Sequence, residues 1–308
     1  IFIELLPIFT VIALVYASVN ISWGIMLPVL MQKTSINIGN YENAAFWLGC
    51  FSAVYSLGQL ASYNIIGALT DQFGRKKVMV ISLCVFAILH IFLAFFIYVG
   101  NFYMILTVRF ICGIFANYMG IGQSIIVDKV PEADRTRFLS YYYFFSNLPY
   151  ILVPIFFSLT IYRDISQSTW FILCPFFIIS LLTWLLGSWL YYNFEDTYTT
   201  ANNRPMHLTF YLTRLRDSQA LCRYGVNFII FSLMAVFYAF YPVFIIKSYD
   251  FTMTQQGYLI AFNNSICAIS YMFLFPYLMK QYRDTDLLFS SVFAIIISSF
   301  AIILHPVT

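Results

Sequence analysis

Charge is what this sequence has least of: 9% of its 308 residues are Asp, Glu, Lys or Arg, and 61% are hydrophobic. A water-soluble domain carries about 25% charged residues, so this chain cannot coat itself with a hydrated surface, and a soluble globule is excluded. Cysteine is sparse and scattered. The six thiols stand at 50, 84, 112, 174, 222 and 267, with no C-x-x-C pair. That spacing builds neither a zinc site nor a disulfide framework, and buried apolar thiols are expected. No Asp or Glu lies in the middle of an apolar run, with Glu4 at the very edge of the first. With no carboxylate pair, histidine-rich cluster or nucleophile elbow, neither an enzyme nor a cofactor or metal is expected. A cleavable signal peptide is absent as well, because the first apolar run is too long for one. The sequence opens on Ile1 and ends just after an apolar run, so it reads as a fragment.

What the sequence has in abundance is apolar length. A helix needs about 20 apolar residues to cross a hydrocarbon core. Nine runs reach that length: 5–31, 44–66, 78–99, 102–127, 139–161, 170–192, 224–247, 257–279 and 286–304. They show no alternation of period two, which excludes a membrane barrel. Helices satisfy their own backbone groups in lipid, so the fold class is an all-α polytopic membrane protein.

Basic residues give the orientation. With the start in the cytoplasm, twelve of the sixteen Lys and Arg fall in inside connections. Three (Lys33, Arg163, Lys247) fall outside, and Arg109 lies within a run. Lys and Arg accumulate on the cytoplasmic side, so the N-terminus and the central connection are expected there. That connection, 193–223, is polar and reads as a linker with a short surface helix in "FYLTRLRDSQALCR". The expected organisation is a six-helix bundle over 1–192, the cytoplasmic linker over 193–223 and a partial second bundle, helices seven to nine, over 224–308. Six helices, a linker and more helices is the layout of transporters built from two similar halves.

The stretch "GALTDQFGRKK", Gly67 to Lys77, packs Asp71, Arg75, Lys76 and Lys77 between two apolar runs. It resembles the loop signature of the major facilitator superfamily, G-x-x-x-D-x-x-G-R-[RK]-x. Other segments agree in order. "ISWGIMLPVL" (21–30) is similar to the G-x-x-x-P-V-L segment of the drug/proton-antiporter branch, which includes tetracycline exporters. "RFICG" (109–113) resembles its R-x-x-x-G segment, "VPEADRTRFLS" (130–140) the loop before helix five, and "FEDT" (194–197) the P-E-T after helix six. The resemblance spans about 5–280. It implies a two-bundle transporter fold whose second bundle is incomplete here, lacking helices ten to twelve.

The resemblance also implies a cytoplasmic gating latch made of Gly67, Asp71, Gly74, Arg75, Lys76 and Asp128. Gly67 would let helix two approach a neighbour, since a missing Cβ lets backbones close in. Gly74 would supply a positive φ for the reversal. Asp128 ends helix four, where the helix dipole disfavours an anion, so it should seek a cation, and Arg75 is the candidate. Anchoring the topology alone would require neither Asp71 nor the glycines.

For the solute, Arg109 is the charge inside a helix, and such a group faces a cavity or a partner. The alternative is a structural Arg capped by carbonyls of helix one. Buried amides need partners in lipid, and the candidates for the cavity are Asn20, Asn147, Asn227 and Asn263 beside Arg109. The chain departs from the tetracycline exporters at helix one, where Val19 and Asn20 stand in place of an acidic residue. It departs again at helix five, where Pro154 alone survives of G-P-x-x-G-G. His90 in helix three reads as a core histidine rather than a titrating group. A uniporter, or coupling through the missing helices, therefore ranks above a drug/proton antiporter, with a non-transporting, receptor-like paralogue as a third reading. The expected partners are the lipid bilayer and a small-molecule solute, with a coupling proton left open. No nucleic acid partner is expected, and the protein is expected to be a monomer.

Overall fold

The computed structural model describes residues 1–32, 41–160, 169–196 and 249–283, with isolated helical residues between 221 and 294. The helices are α1 (Phe2–Gln32), α2 (Tyr41–Phe73), α3 (Arg75–Val99), α4 (Phe102–Ile114), α5 (Tyr118–Lys129), α6 (Glu132–Leu159) and α7 (Thr169–Asn193). They are followed by α8 (Met253–Ile269), a π-helical turn (Ser270–Leu274) and α9 (Phe275–Gln281). Six of the described segments are long and apolar enough to cross a membrane: Phe2–Met26, Arg75–Val99, Phe102–Lys129, Glu132–Leu159, Ile172–Asn193 and Met253–Gln281. The chain is a multi-pass integral membrane protein. Of the nine expected runs, 44–66 is helical but not among these six, because Ser52, Ser56, Gly58, Gln59, Ser62 and Asn64 dilute its hydropathy. The runs 224–247 and 286–304 fall largely outside the described residues, as does the linker beyond Asp196.

The solvent of this fold is legible on α3. Its inward face buries Met79, Leu83, Phe86, His90, Leu93 and Ile97, while its outward face exposes Ile81, Ile88, Phe92 and Phe95. Both faces are apolar, so the outer one is suited to acyl chains and would be a large sticky patch in water. Gly100 ends α3 in the left-handed region (φ 76°), and the Asn101 side chain accepts a hydrogen bond from the Met104 N–H at 3.2 Å. A left-handed glycine followed by an N-capping Asn turns α3 into α4 within two residues.

The expected single fourth span is two helices. The ladder stops at Phe115–Asn117, where the Ala116 N–H donates to the Gly113 carbonyl at 3.2 Å and the Asn117 amide donates to Ser62 Oγ at 3.0 Å. The 3₁₀-type bond from Ala116 takes up part of what the broken ladder frees, and the Asn117 side chain ties the break to α2.

Close approaches at glycine help hold the helices together, and two bear on the site. A Cβ on Gly58 would overlap the Phe110 carbonyl, and one on Gly113 would overlap the Tyr55 carbonyl, so α2 and α4 cross backbone to backbone. Gly67, expected to make such an approach, does not: a Cβ there would meet nothing. It sits on the exposed side of α2, and the crossing lies two and a half turns earlier. The second approach joins α6 to α8. Gly257 packs on Ser158 and the Pro154 carbonyl, and Ser158 Oγ donates to the Thr254 carbonyl at 3.0 Å. A capping box, Thr252 with Gln255, starts α8 at that contact. Of the described cysteines only Cys112 is fully buried and Cys174 is exposed, which corrects the expectation of uniformly buried thiols; on a lipid-facing helix an exposed apolar thiol costs little.

Candidate functional site

At the end of the bundle where α3 begins, charges gather. Gly74 takes φ 94°, as the expected tight reversal requires, and α3 starts on the next residue. From its first turn Arg75 reaches α5, where Nη1 donates both to the Ser124 carbonyl and to Asp128 Oδ2. The pair is partly solvated, with side-chain exposures of 19% and 35%, so its worth is about 1 kcal/mol or less. Asp71 does not join it. Among the described residues Asp71 has no ion pair or hydrogen bond, because its place on α2 lies before the reversal that aims Arg75 at α5. Of the expected latch residues, Arg75 and Asp128 thus pair as a brace between α3 and α5, and Asp71 stands apart from them.

Sequence reasoning missed what completes the cluster. Asp196, of the "FEDT" segment, accepts from the Lys76 backbone N–H at 3.3 Å, placing a carboxylate at the N-terminus of α3, where the helix dipole favours it. Its Oδ2 occupies the space a Cβ on Gly74 would take. Lys76 lies over the ring of Tyr191 at 5.8 Å and Lys129 over that of Phe194 at 4.5 Å. The end of α7 is thus fastened to the start of α3 and the end of α5 by cation–π contacts. Gly74→Ala is expected to cost about 1–2 kcal/mol in thermal or denaturant stability, since L-residues resist that φ. In an Asp196→Ala background the same change should cost less, because the overlap is gone.

In the bundle interior stands Arg109, on α4. It is 2% exposed, and its guanidinium lies between the rings of Tyr55 (4.2 Å) and Phe51 (4.7 Å) of α2. Among the described residues its Nε and Nη1 have no hydrogen-bond partner. The capping by carbonyls of helix one is thereby corrected: the aromatic slot of α2, formed by the Gly58–Gly113 crossing, holds the group instead. Among the described residues Arg109 is the one buried Asp, Glu, Lys or Arg.

The amide candidates divide. Asn20 and Asn147 are half-buried and donate within their own helices, to the Tyr16 carbonyl at 2.8 Å and the Tyr143 carbonyl at 3.1 Å. Asn263 is exposed. Its neighbour Asn264 is the buried one, donating to the Ile260 carbonyl at 2.9 Å. Asn227 lies outside the described residues. His90 is buried, with Nδ1 at 2.8 Å from the Phe86 carbonyl and its ring against Phe86 and Phe176, the packing of a core histidine.

Comparison with known proteins bears on the family and the fold. The family model of the Major Facilitator Superfamily matches residues 8–308. An uncharacterized transporter of Schizosaccharomyces pombe is 29% identical over 154 residues, covering 50% of this chain and 30% of its own. The class B tetracycline resistance protein of Escherichia coli is 27% identical over 180 residues, 58% of this chain and 42% of its own. The chain thus covers less than half of these relatives' lengths. The crystal structure of the human organic anion transporter MFSD10 (TETRAN) superposes with a TM-score of 0.66 at 16% identity, over 88% of this chain and 72% of that one. At that identity the likeness shows the fold.

Proposed function

This chain belongs to the major facilitator superfamily, and on that premise we propose that it is part of a secondary transporter that moves a small organic solute by alternating access. The observation that carries the reading is Arg109: a buried cation with unsatisfied nitrogens is costly in a membrane protein and is kept where a solute or coupling ion answers it. The bundles are 1–192 and 224–308, joined by a cytoplasmic linker over 193–223. The basic connections put Arg75, Asp128 and Asp196 in the cytoplasm. In that orientation the Ser158–Thr254 and Gly257 contacts close the outer ends of α6 and α8, and transport requires them to part. The brace of Arg75 and Asp128 keeps the cytoplasmic ends of α3 and α5 moving as one body.

Drug/proton antiport is the second reading, favoured by similarity to tetracycline resistance proteins. Uniport agrees better with an interior whose one buried described charge is cationic. A decayed, non-transporting paralogue fits poorly with an intact Arg75–Asp128 pair. The test is solute uptake into liposomes by the full-length protein. Arg75→Ala and Asp128→Asn should each lower the rate by about fivefold, equivalent to about 1 kcal/mol. The double variant should be no slower than either single one, since the two groups act as a unit. Rates unchanged by both substitutions would remove the brace from the mechanism.

A further inference from the structure

A helix start needs acceptors for its first N–H groups, and the residue before it commonly supplies one from its own side chain. Gly74 precedes α3 and has no side chain to offer. The acceptor comes instead from 120 residues beyond Lys76: Asp196 Oδ1 takes the Lys76 N–H at 3.3 Å. The glycine makes room for it, since Asp196 Oδ2 stands where a Cβ on Gly74 would be. Both that lack of space and a φ of 94° disfavour any other residue at this position. The reversal thus leaves an open socket ahead of α3. A carboxylate from beyond α7 fills it, at the end of the helix dipole that favours an anion.

Arg75 stands between the two residues that Asp196 touches. Its guanidinium donates to the Ser124 carbonyl and to Asp128 on α5, in a pair that is partly solvated. Such a pair loses much of its value to the freedom of two long side chains. It forms persistently only where the backbone beneath it is held, and Asp196 holds that backbone on both sides of Arg75.

The same short stretch grips twice more. Tyr191 lies against Lys76, next to Arg75, and Phe194 lies against Lys129, next to Asp128. The stretch Tyr191–Asp196 therefore clasps the start of α3 and the end of α5 at the two places where the brace is made. We infer that Asp196 is a positioning residue for transport: it aims Arg75 at Asp128, and so makes the first residues of the linker part of the brace. The contacts alone carry the aiming of Arg75, while its use in transport rests on the transporter reading.

Two measurements on the full-length protein in lipid nanodiscs test the inference without any solute. Hydrogen exchange in the first turn of α3 should quicken about fivefold in Asp196→Ala, the scale of a lost helix cap. It should stay within about twofold of the parent in Asp196→Asn, which keeps an acceptor of the same reach. Thermal unfolding supplies the signature that a merely structural residue would not give. In the parent, Arg75→Ala and Asp128→Asn should each lower the melting temperature by about 2 °C. The double variant should fall no further than either single one. In an Asp196→Ala background, where the pair is no longer aimed, neither change should lower it by more than about 0.5 °C further. An Asp196→Asn background should restore the parent's pattern. Gly74→Ala, which pushes the carboxylate from its seat, should abolish that pattern as Asp196→Ala does, so the test stands even where Asp196→Ala does not fold. The inference is overturned by unchanged exchange in Asp196→Ala, or by Arg75→Ala and Asp128→Asn costing as much in the Asp196→Ala or Gly74→Ala background as in the parent. Movement between α6 and α8, followed separately by spin labels, keeps the two readings apart. Movement with the pairing pattern intact in Asp196→Ala sinks this inference alone. A pattern lost in Asp196→Ala, with no movement in any variant, sinks the transporter reading alone.

Discussion

Replacing Arg109 with methionine is expected to leave the protein's melting temperature unchanged or raised, while solute transport falls about a hundredfold or more. The two effects part company for a physical reason. The guanidinium is buried with Nε and Nη1 unpartnered among the described residues, so its desolvation is offset there by the rings of Phe51 and Tyr55 and by no counter-ion. Methionine keeps much of the stem that packs between Phe51 and Tyr55 and removes the charge. Removing a buried charge that lacks a counter-ion relieves the fold. Removing one that meets its partner only when solute arrives costs about 2–5 kcal/mol of that encounter. A structural arginine would behave in the opposite way: stability and transport would fall together, and lysine would restore both. Thermal unfolding in detergent and uptake in liposomes, run on the same preparations, decide between the two.

The second large effect is on folding. Gly113→Val and Gly58→Val should prevent recovery of a monodisperse, folded protein. Even Gly58→Ala should cost about 1–3 kcal/mol, because the added methyl meets the Phe110 carbonyl and backbone cannot step aside as a flexible side chain does. Gly67→Ala supplies the contrast. A Cβ there meets nothing, so the change should be neutral or stabilise by up to about 1 kcal/mol, the ordinary preference of a helix for Ala over Gly. Thermal unfolding of the three variants ranks them. A Gly67→Ala loss equal to that of Gly58→Ala would restore the role that the loop signature suggests for Gly67.

These glycines show how much the sequence discloses. The loop signature announces the reversal at Gly74 and the reach of Arg75 to Asp128, because a positive φ and a helix-end carboxylate are local requirements. Arg109 was legible as a lone charge in an apolar run. The rotation of each helix was not. In water an amphipathic stripe reveals the inward face, but α3 is as apolar at Phe92 and Phe95 outside as at Phe86 and Leu93 inside. Period therefore carries little information, and Gly58 and Gly67 look equivalent until α4 is in place. The same loss explains Asn263 and Asn264, adjacent amides of which the second is buried. The interruption at Phe115–Asn117 has no proline to announce it, and the bond that ties it to α2, from Asn117 to Ser62, reaches 55 residues back in the chain. Asp196 was visible as part of "FEDT", but its docking on the N-terminus of α3 depends on where α7 ends.

The central claim is that two bundles part and close across α6 and α8. Spin labels at Leu159 and Tyr258, both exposed near the Ser158–Thr254 contact, follow it in nanodiscs through pulsed electron–electron distances. The account predicts two distance populations, one short and matching the Ser158–Thr254 contact and one longer, with a ratio that shifts in Arg75→Ala. A single short distance, the same in the parent protein and in Arg75→Ala, would contradict it.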